Sequence, residues 1–239
     1  MSLLSLQNAK TSKGEKTQGV LTGILYLVPH KLGLTLTRFN NVESEAWKYA
    51  GKNLCGSASE GCAAACLFTA GRGRMTNVMK GRLRKTILFH KDRKEFVRQL
   101  RADITKLVRK AKREGLVPAV RLNGTSDIPW HKVAPELFTE FEEVQFYDYT
   151  KHPVSKWGKL PSNYDLTLSR SEVNDPQARI ALRKGERVAV VFKEVPKEWF
   201  GFDVIDGDED DVRYNDPKGV VIGLKAKGEA RKDTSGFVV

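Results

Sequence analysis

Three residues stand out for chemistry: Cys55, Cys62 and Cys66, all within one twelve-residue segment and spaced C-x6-C-x3-C. Cys62 and Cys66 are four apart across three alanines, so a turn of helix would set both sulfurs on one face. The Gly56-Ser57-Ala58-Ser59-Glu60-Gly61 stretch is flexible enough to fold Cys55 back against them. Three readings of such a cluster compete. Three thiolates can hold an iron–sulfur cluster and leave one iron open. They can also form a structural zinc site if His90 or His131 supplies a fourth ligand, although the spacing is not the C-x2-C of zinc ribbons. Small cysteines can also simply pack in a core, but confining all three to one segment argues against coincidence.

Other groups are capable of chemistry too. Gly71-Arg72-Gly73-Arg74 follows the last cysteine, and its backbone amides and guanidinium groups suit an anion or a plain basic turn. Asp206-Gly207-Asp208-Glu209-Asp210-Asp211 offers ligands for a hard cation, but not in the order of an EF-hand loop. Trp130, Trp157 and Trp199 lie near Lys132, Lys156 and Lys197, a mixture that either stacks on single strands or covers a core.

The elements that must position these groups follow from hydrophobic periodicity. A first strand is expected over Val20–Val28, ahead of Pro29. Phe96, Leu100, Ile104, Leu107, Val108 and Ala111 fall on one helical stripe that Gly115 ends. Short apolar runs follow at 118–122, 144–149, 165–169, 188–192 and 220–224, with a sixth at 202–205, and helices are expected over 131–141 and 177–184. Continuous runs such as Val188–Phe192 suit strands buried on both faces. The expected fold is therefore a single α/β domain over 20–239, with a mostly parallel sheet and a partial (βα)6 TIM-like barrel. Residues 1–19 are expected as a flexible N-terminal arm.

Polar residues follow these runs at once, and in parallel α/β folds ligands sit at the carboxyl ends of the strands. Asn123, Thr125, Ser126, Asp127, Ser169, Ser171 and Glu172 are therefore candidates to line a cofactor or substrate pocket. Asp148, Tyr149, Lys151 and Asp206 are candidates for acid/base or positioning roles.

Composition narrows the classes. The chain has 239 residues and three cysteines, too few and too odd in number for a secreted disulfide framework. It has no apolar run long enough for a bilayer and no secretory leader pattern, so a cytoplasmic protein without a membrane partner is expected. A formal charge of +12, much of it between Arg72 and Arg113, points to an anionic partner such as a nucleotide or nucleic acid.

Several motifs carry a resemblance. Cys55…Gly61-Cys62…Cys66-Leu67…Ala70-Gly71-Arg72, Arg121-Leu122-Asn123-Gly124-Thr125-Ser126-Asp127-Ile128 and Phe146-Tyr147-Asp148-Tyr149-Thr150-Lys151 are similar to the phage and prophage gene product 88 proteins. Leu168–Glu172, Val204–Asp208 and Gly223–Gly228 extend the match. That family implies phage origin, hence the host cytoplasm, but no activity. The architecture also resembles radical S-adenosylmethionine enzymes, whose three-cysteine loop follows the first strand of a partial six-unit barrel. That resemblance implies a [4Fe–4S] cluster on Cys55, Cys62 and Cys66, with S-adenosylmethionine on its open iron. The spacing here departs from the C-x3-C-x2-C of that superfamily, and Ala65 stands where it has an aromatic residue. Two alternatives remain at this point: a zinc-stapled protein that binds nucleic acid or a host partner without catalysis, and a metal-dependent nuclease using the acidic residues.

Overall fold

The structure is a computed structural model that describes residues 1–6, 9–30, 32–39 and 44–239. Its strands are β1 (Leu4–Ser5), β2 (Val20–Leu25), β3 (Val117–Arg121), β4 (Gln145–Thr150), β5 (Tyr164–Ser169), β6 (Val188–Phe192), β7 (Glu198–Trp199), β8 (Phe202–Asp206) and β9 (Val221–Lys225). They form one sheet in the order β1-β2-β3-β4-β5-β6-β9-β8-β7. Every neighbouring pair from β2 to β8 is parallel, whereas β1 and β7 pair antiparallel at the two ends. The expected α/β architecture is present, with β1 to β6 in consecutive order across the sheet and β9 inserted between β6 and β8. The sheet stays open at β1 and β7.

The helices are α1 (Ala9–Gln18), α2 (Leu32–Leu36), α3 (Glu60–Ala64), α4 (Thr76–Lys91), α5 (Arg93–Glu114), α6 (Trp130–Val133), α7 (Glu136–Glu140) and α8 (Asp175–Arg183). Helix α5 is the expected amphipathic one. Asp92 caps its first turn by accepting the Glu95 amide at 2.9 Å, and Gly115 ends it in the left-handed conformation at φ 66°. Its buried stripe of Phe96, Leu100, Ile104 and Leu107 packs with Leu21, Val120, Phe146 and Val190 of the sheet. Each such side chain contributes about 1.5–3 kcal/mol on burial. The helix expected over 131–141 is broken into α6 and α7 at Ala134-Pro135, because a proline cannot donate the amide that would continue it.

The opposite face of the sheet is filled differently. Val20, Ala119 and Tyr147 pack against Val212, and the 207–219 segment lays Asp211 beside Arg121 and Tyr214 beside Tyr147. The N-terminal residues, expected as a flexible arm, are folded in. Leu3 and Leu4 are buried, and their amides donate to Asp103. Helix α1 packs on β2, and Gln18 reaches Asp210 at 2.8 Å. Residues 7 and 8 of that arm lie outside the described residues. No helix among the described residues is long and apolar enough to cross a membrane.

Candidate functional site: a cysteine-lined cavity at the strand ends

Cys55, Cys62 and Cys66 lie after β2, the first strand of the parallel run, and all three line one cavity of about 250 Å³. The remainder of its wall comes from the carboxyl ends of the parallel strands. Arg121, Asn123, Thr125, Ser126 and Asp127 come from β3 and the turn after it, and Tyr149, Thr150 and Lys151 come from β4. Ser169 ends β5, Val191 comes from β6, Leu224 and Lys225 come from β9, and Asp208 follows β8. A parallel sheet presents its ligand crevice at this end.

Each cysteine is positioned by a separate device. Leu54 donates its amide to Pro29 at 2.7 Å and accepts the Asp127 amide at 2.8 Å, which pins the cysteine segment between β2 and the turn after β3. Cys55 Sγ then reaches the Thr125 carbonyl at 3.8 Å. Ser59 caps α3, accepting the Cys62 amide at 3.2 Å, so Cys62 sits in the first turn. Glu172 accepts from Ser59 Oγ and the Gly61 amide, both at 2.8 Å. Cys66 follows α3 and precedes a 3-10 turn over Leu67–Thr69.

Burial pushes all three thiols up from their ordinary range. For Cys55 the Asp127 charge and the other two cysteines add to the rise; for Cys62 the Lys151 ammonium opposes it. The cysteines are therefore close enough to feel one another's charge, yet they are held as neutral thiols. Among the described residues, no group of three or more His, Cys, Asp or Glu side chains is arranged to hold a metal ion.

Asn123 organises the turn after β3. Its side chain donates to the Ile128 carbonyl at 2.9 Å and accepts from Ser126 Oγ, the Ile128 amide and the Trp130 indole. Its own amide donates to Asp148 at 2.6 Å. Asp148 is thus behind the cavity wall, where it also accepts from Tyr164 Oη at 2.9 Å. Lys151 is inside the cavity, donating to Ser169 Oγ at 2.7 Å with Phe237 beneath its ammonium.

The cavity is built largely from the motifs that carry the family resemblance, and a family model described as gene product 88 matches residues 2–239. The chain belongs to the gene product 88 family. No curated protein and no solved structure matches it, so what this gene product 88 chain does is read from its geometry.

Of the residues singled out in the sequence, the cavity gathers Cys55, Cys62, Cys66, Asn123, Thr125, Ser126, Asp127, Tyr149, Lys151 and Ser169. Ser171 and Glu172 do not line it, and Glu172 acts instead on α3. Asp206 is exposed and accepts the Asp208 amide at 2.8 Å. The two histidines considered as zinc ligands are elsewhere. His90 stacks on Tyr49, and His131 donates to the Trp157 carbonyl at 2.8 Å beside a separate cavity of about 130 Å³.

The acidic run in the gene product 88 chain is committed to the protein's own cations. Asp211 pairs with Arg121, Asp210 with Arg213, and Asp208 with Lys227. Sequence reasoning did not find Phe237, which enters the cavity because the C-terminal strap returns to the sheet. Val239 exchanges backbone hydrogen bonds with Val191 and Lys193, and Arg170 Nη1 donates to the Gly236 and Phe237 carbonyls. No local signal marks that return.

Proposed function

We propose that this protein is an iron–sulfur enzyme of radical S-adenosylmethionine type that acts on a nucleotide or nucleic acid. The observation that carries the reading is the convergence of three thiols on one cavity at the carboxyl ends of the parallel strands, on the connection between the first two of them. The donors available in this wall are three sulfurs, with polar residues beside them and no histidine. Cys55, Cys62 and Cys66 would hold a [4Fe–4S] cluster, which would supply one-electron reduction of S-adenosylmethionine.

The chain's own residues have defined tasks in this scheme. The neutral thiols release their protons on loading, and the Lys151 ammonium beside Cys62 offsets the negative charge that results. Ser169 and the Arg170 carbonyl hold that ammonium in place. Asn123 locks the turn that carries Thr125 and Ser126 against the cysteines. Tyr149 and Arg121, stacked at 4.6 Å, line the cavity together, and Lys225 offers an exposed cation in the same wall for an anionic substrate group.

The test is anaerobic reconstitution with iron and sulfide. The expected product is a brown protein carrying iron and sulfide, which cleaves S-adenosylmethionine when reduced, and serine at any one of the three positions removes both properties. A colourless protein with stoichiometric zinc overturns the reading.

One observation favours a second reading. Asp127 lines the same cavity and its charge acts on Cys55 and Cys62, so zinc on three thiolates and one carboxylate would give a stapled binding module without catalysis. The nuclease alternative is weaker, because Asp208, Asp210 and Asp211 are already paired with cations.

A further inference from the structure

The basic stretch between Arg72 and Arg113 divides into two unlike halves. On α5 much of the charge is neutralised locally. Arg98 pairs with Glu95 at 2.6 Å, Arg101 with Glu140 at 2.5 Å, and Lys110 and Arg113 both with Glu114. The part of the chain that carries the cysteines is different. Between residues 44 and 84 there are seven Lys or Arg against two acidic residues, Glu45 and Glu60, and Glu45 is taken by Lys91. Arg38, Arg72 and Arg84 are exposed with no carboxylate partner among the described residues. Lys80, one turn before Arg84 on α4, lies over the Phe39 ring rather than beside an acid.

These cations belong to one packed unit. Helix α2, the 3-10 helix Ser44–Tyr49 and α4 share a small core of Leu32, Leu36, Ala46, Met79 and Leu83, against which Cys66 also packs. The same unit exposes large apolar side chains: Leu34 at 60%, Leu67 at 54%, Met75 at 53% and Trp47 at 43%. Leu67 is at once exposed and part of the cavity wall, so the unit reaches the mouth of the cavity at that residue, where exposed Lys225 and the Asp208-paired Lys227 also stand.

We infer that this surface is a docking face for single-stranded nucleic acid, which lies across the α2–α4 unit and presents one nucleotide to the cysteine cavity. Unpaired cations track a phosphate backbone, and interleaved aromatic and apolar side chains stack on unpaired bases. A duplex would use the cations but leave Trp47, Leu67 and Met75 without partners. The inference rests on reading the cavity as a site that takes a nucleotide unit, but the face can be tested without the cluster.

The experiment titrates a short fluorescein-labelled, mixed-sequence, single-stranded oligonucleotide with the full chain, without added iron, sulfide or zinc. Binding is expected, with affinity falling as salt rises. Arg72→Ser and Arg84→Ser are each expected to flatten the dependence of log affinity on log salt by about 0.7. Trp47→Ala is expected to weaken binding several-fold with the slope unchanged, and Lys106→Ser on α5 to change neither. Variants are compared by thermal unfolding, so that loss of folding is recognised.

Absence of binding at low salt overturns the inference. So does equal sensitivity to Lys106→Ser, stronger binding to the corresponding duplex, or equal binding to polyglutamate or to phosphatidylserine vesicles. If oligonucleotide binding holds and reconstitution yields only zinc, the docking face stands and the radical reading falls. If a cluster assembles and the oligonucleotide does not bind, the reverse is true.

Discussion

The Glu172 carboxylate accepts the Gly61 amide at 2.8 Å, across 111 residues of chain, and its second oxygen accepts from Ser59 Oγ at the same distance. A carboxylate on the turn after β5 thereby holds the first turn of α3, the turn that carries Cys62. Burial tends to raise the Glu172 pKa, but hydrogen bonds from Ser59, its own amide and Gly61 outweigh it and leave the group below its usual range. The anchor is therefore intact at neutral pH and is lost only as pH falls through that lowered value.

Glu172→Ala is expected to cost about 1–2 kcal/mol in urea unfolding, since each hydrogen bond is to a charged but partly exposed group. It should also speed alkylation of Cys62 by iodoacetamide and lower the iron bound after reconstitution. Unchanged alkylation would show that α3 holds its position without Glu172.

Gly61→Ala tests the same contact from the other side. A Cβ there would overlap Ser235 Oγ and lie 2.8 Å from both Glu172 Oε1 and Phe237 Cβ, so both the carboxylate and the C-terminal strap must give way. A loss of about 1–3 kcal/mol is expected from such overpacking, read as a lower unfolding midpoint.

Asp148 should set part of the pH dependence of stability. Burial pushes its carboxyl up to about 7, against the opposing effects of the Asn123 amide, Arg121 and the Tyr164 hydroxyl. Below the ordinary carboxylate pKa of about 4 both the folded and unfolded chains hold the proton, and there is no penalty. Between there and about 7 only the unfolded chain releases it, so stability falls with rising pH and then levels off, by roughly 1–4 kcal/mol. Asp148→Asn keeps an acceptor for the Asn123 backbone amide but places a donor opposite Tyr164 Oη, which costs stability at every pH. Its urea midpoint should change less between about pH 5 and about pH 8 than that of the parent chain.

Arg121 and Asp211 form an ion pair of 2.7 Å whose side chains are 15% and 3% exposed. Arg121→Met alone strands a buried carboxylate and is expected to cost about 3–5 kcal/mol. Combining it with Asp211→Asn should recover most of that loss in denaturant unfolding. Additive losses would show that the pair is not coupled.

Much of the architecture was legible because its signals are local. The stripe from Phe96 to Ala111 with Gly115 behind it specifies α5, and the run Val188–Phe192 specifies β6, because periodicity and capping act within a few residues. The helix expected through Pro135 shows the limit of pattern alone, since the apolar spacing continued across a residue that cannot donate its amide. The clustering of Cys55, Cys62 and Cys66 was also local, and so was the rule that strands end in polar residues.

Tertiary structure decided which of those polar residues meet the sulfurs. Lys151 and Ser169 arrive in the cavity, but Glu172, three residues beyond Ser169, faces α3 instead, and Asp206 stays in solvent. Phe237 joins the site only because the chain's last residues pair with β6, and the acidic run is committed to Arg121, Arg213 and Lys227 only because the 207–219 segment folds over the sheet. Such choices depend on contacts between positions far apart in the chain. Their free energy appears only when the whole sheet has formed, and no short window of sequence contains both partners.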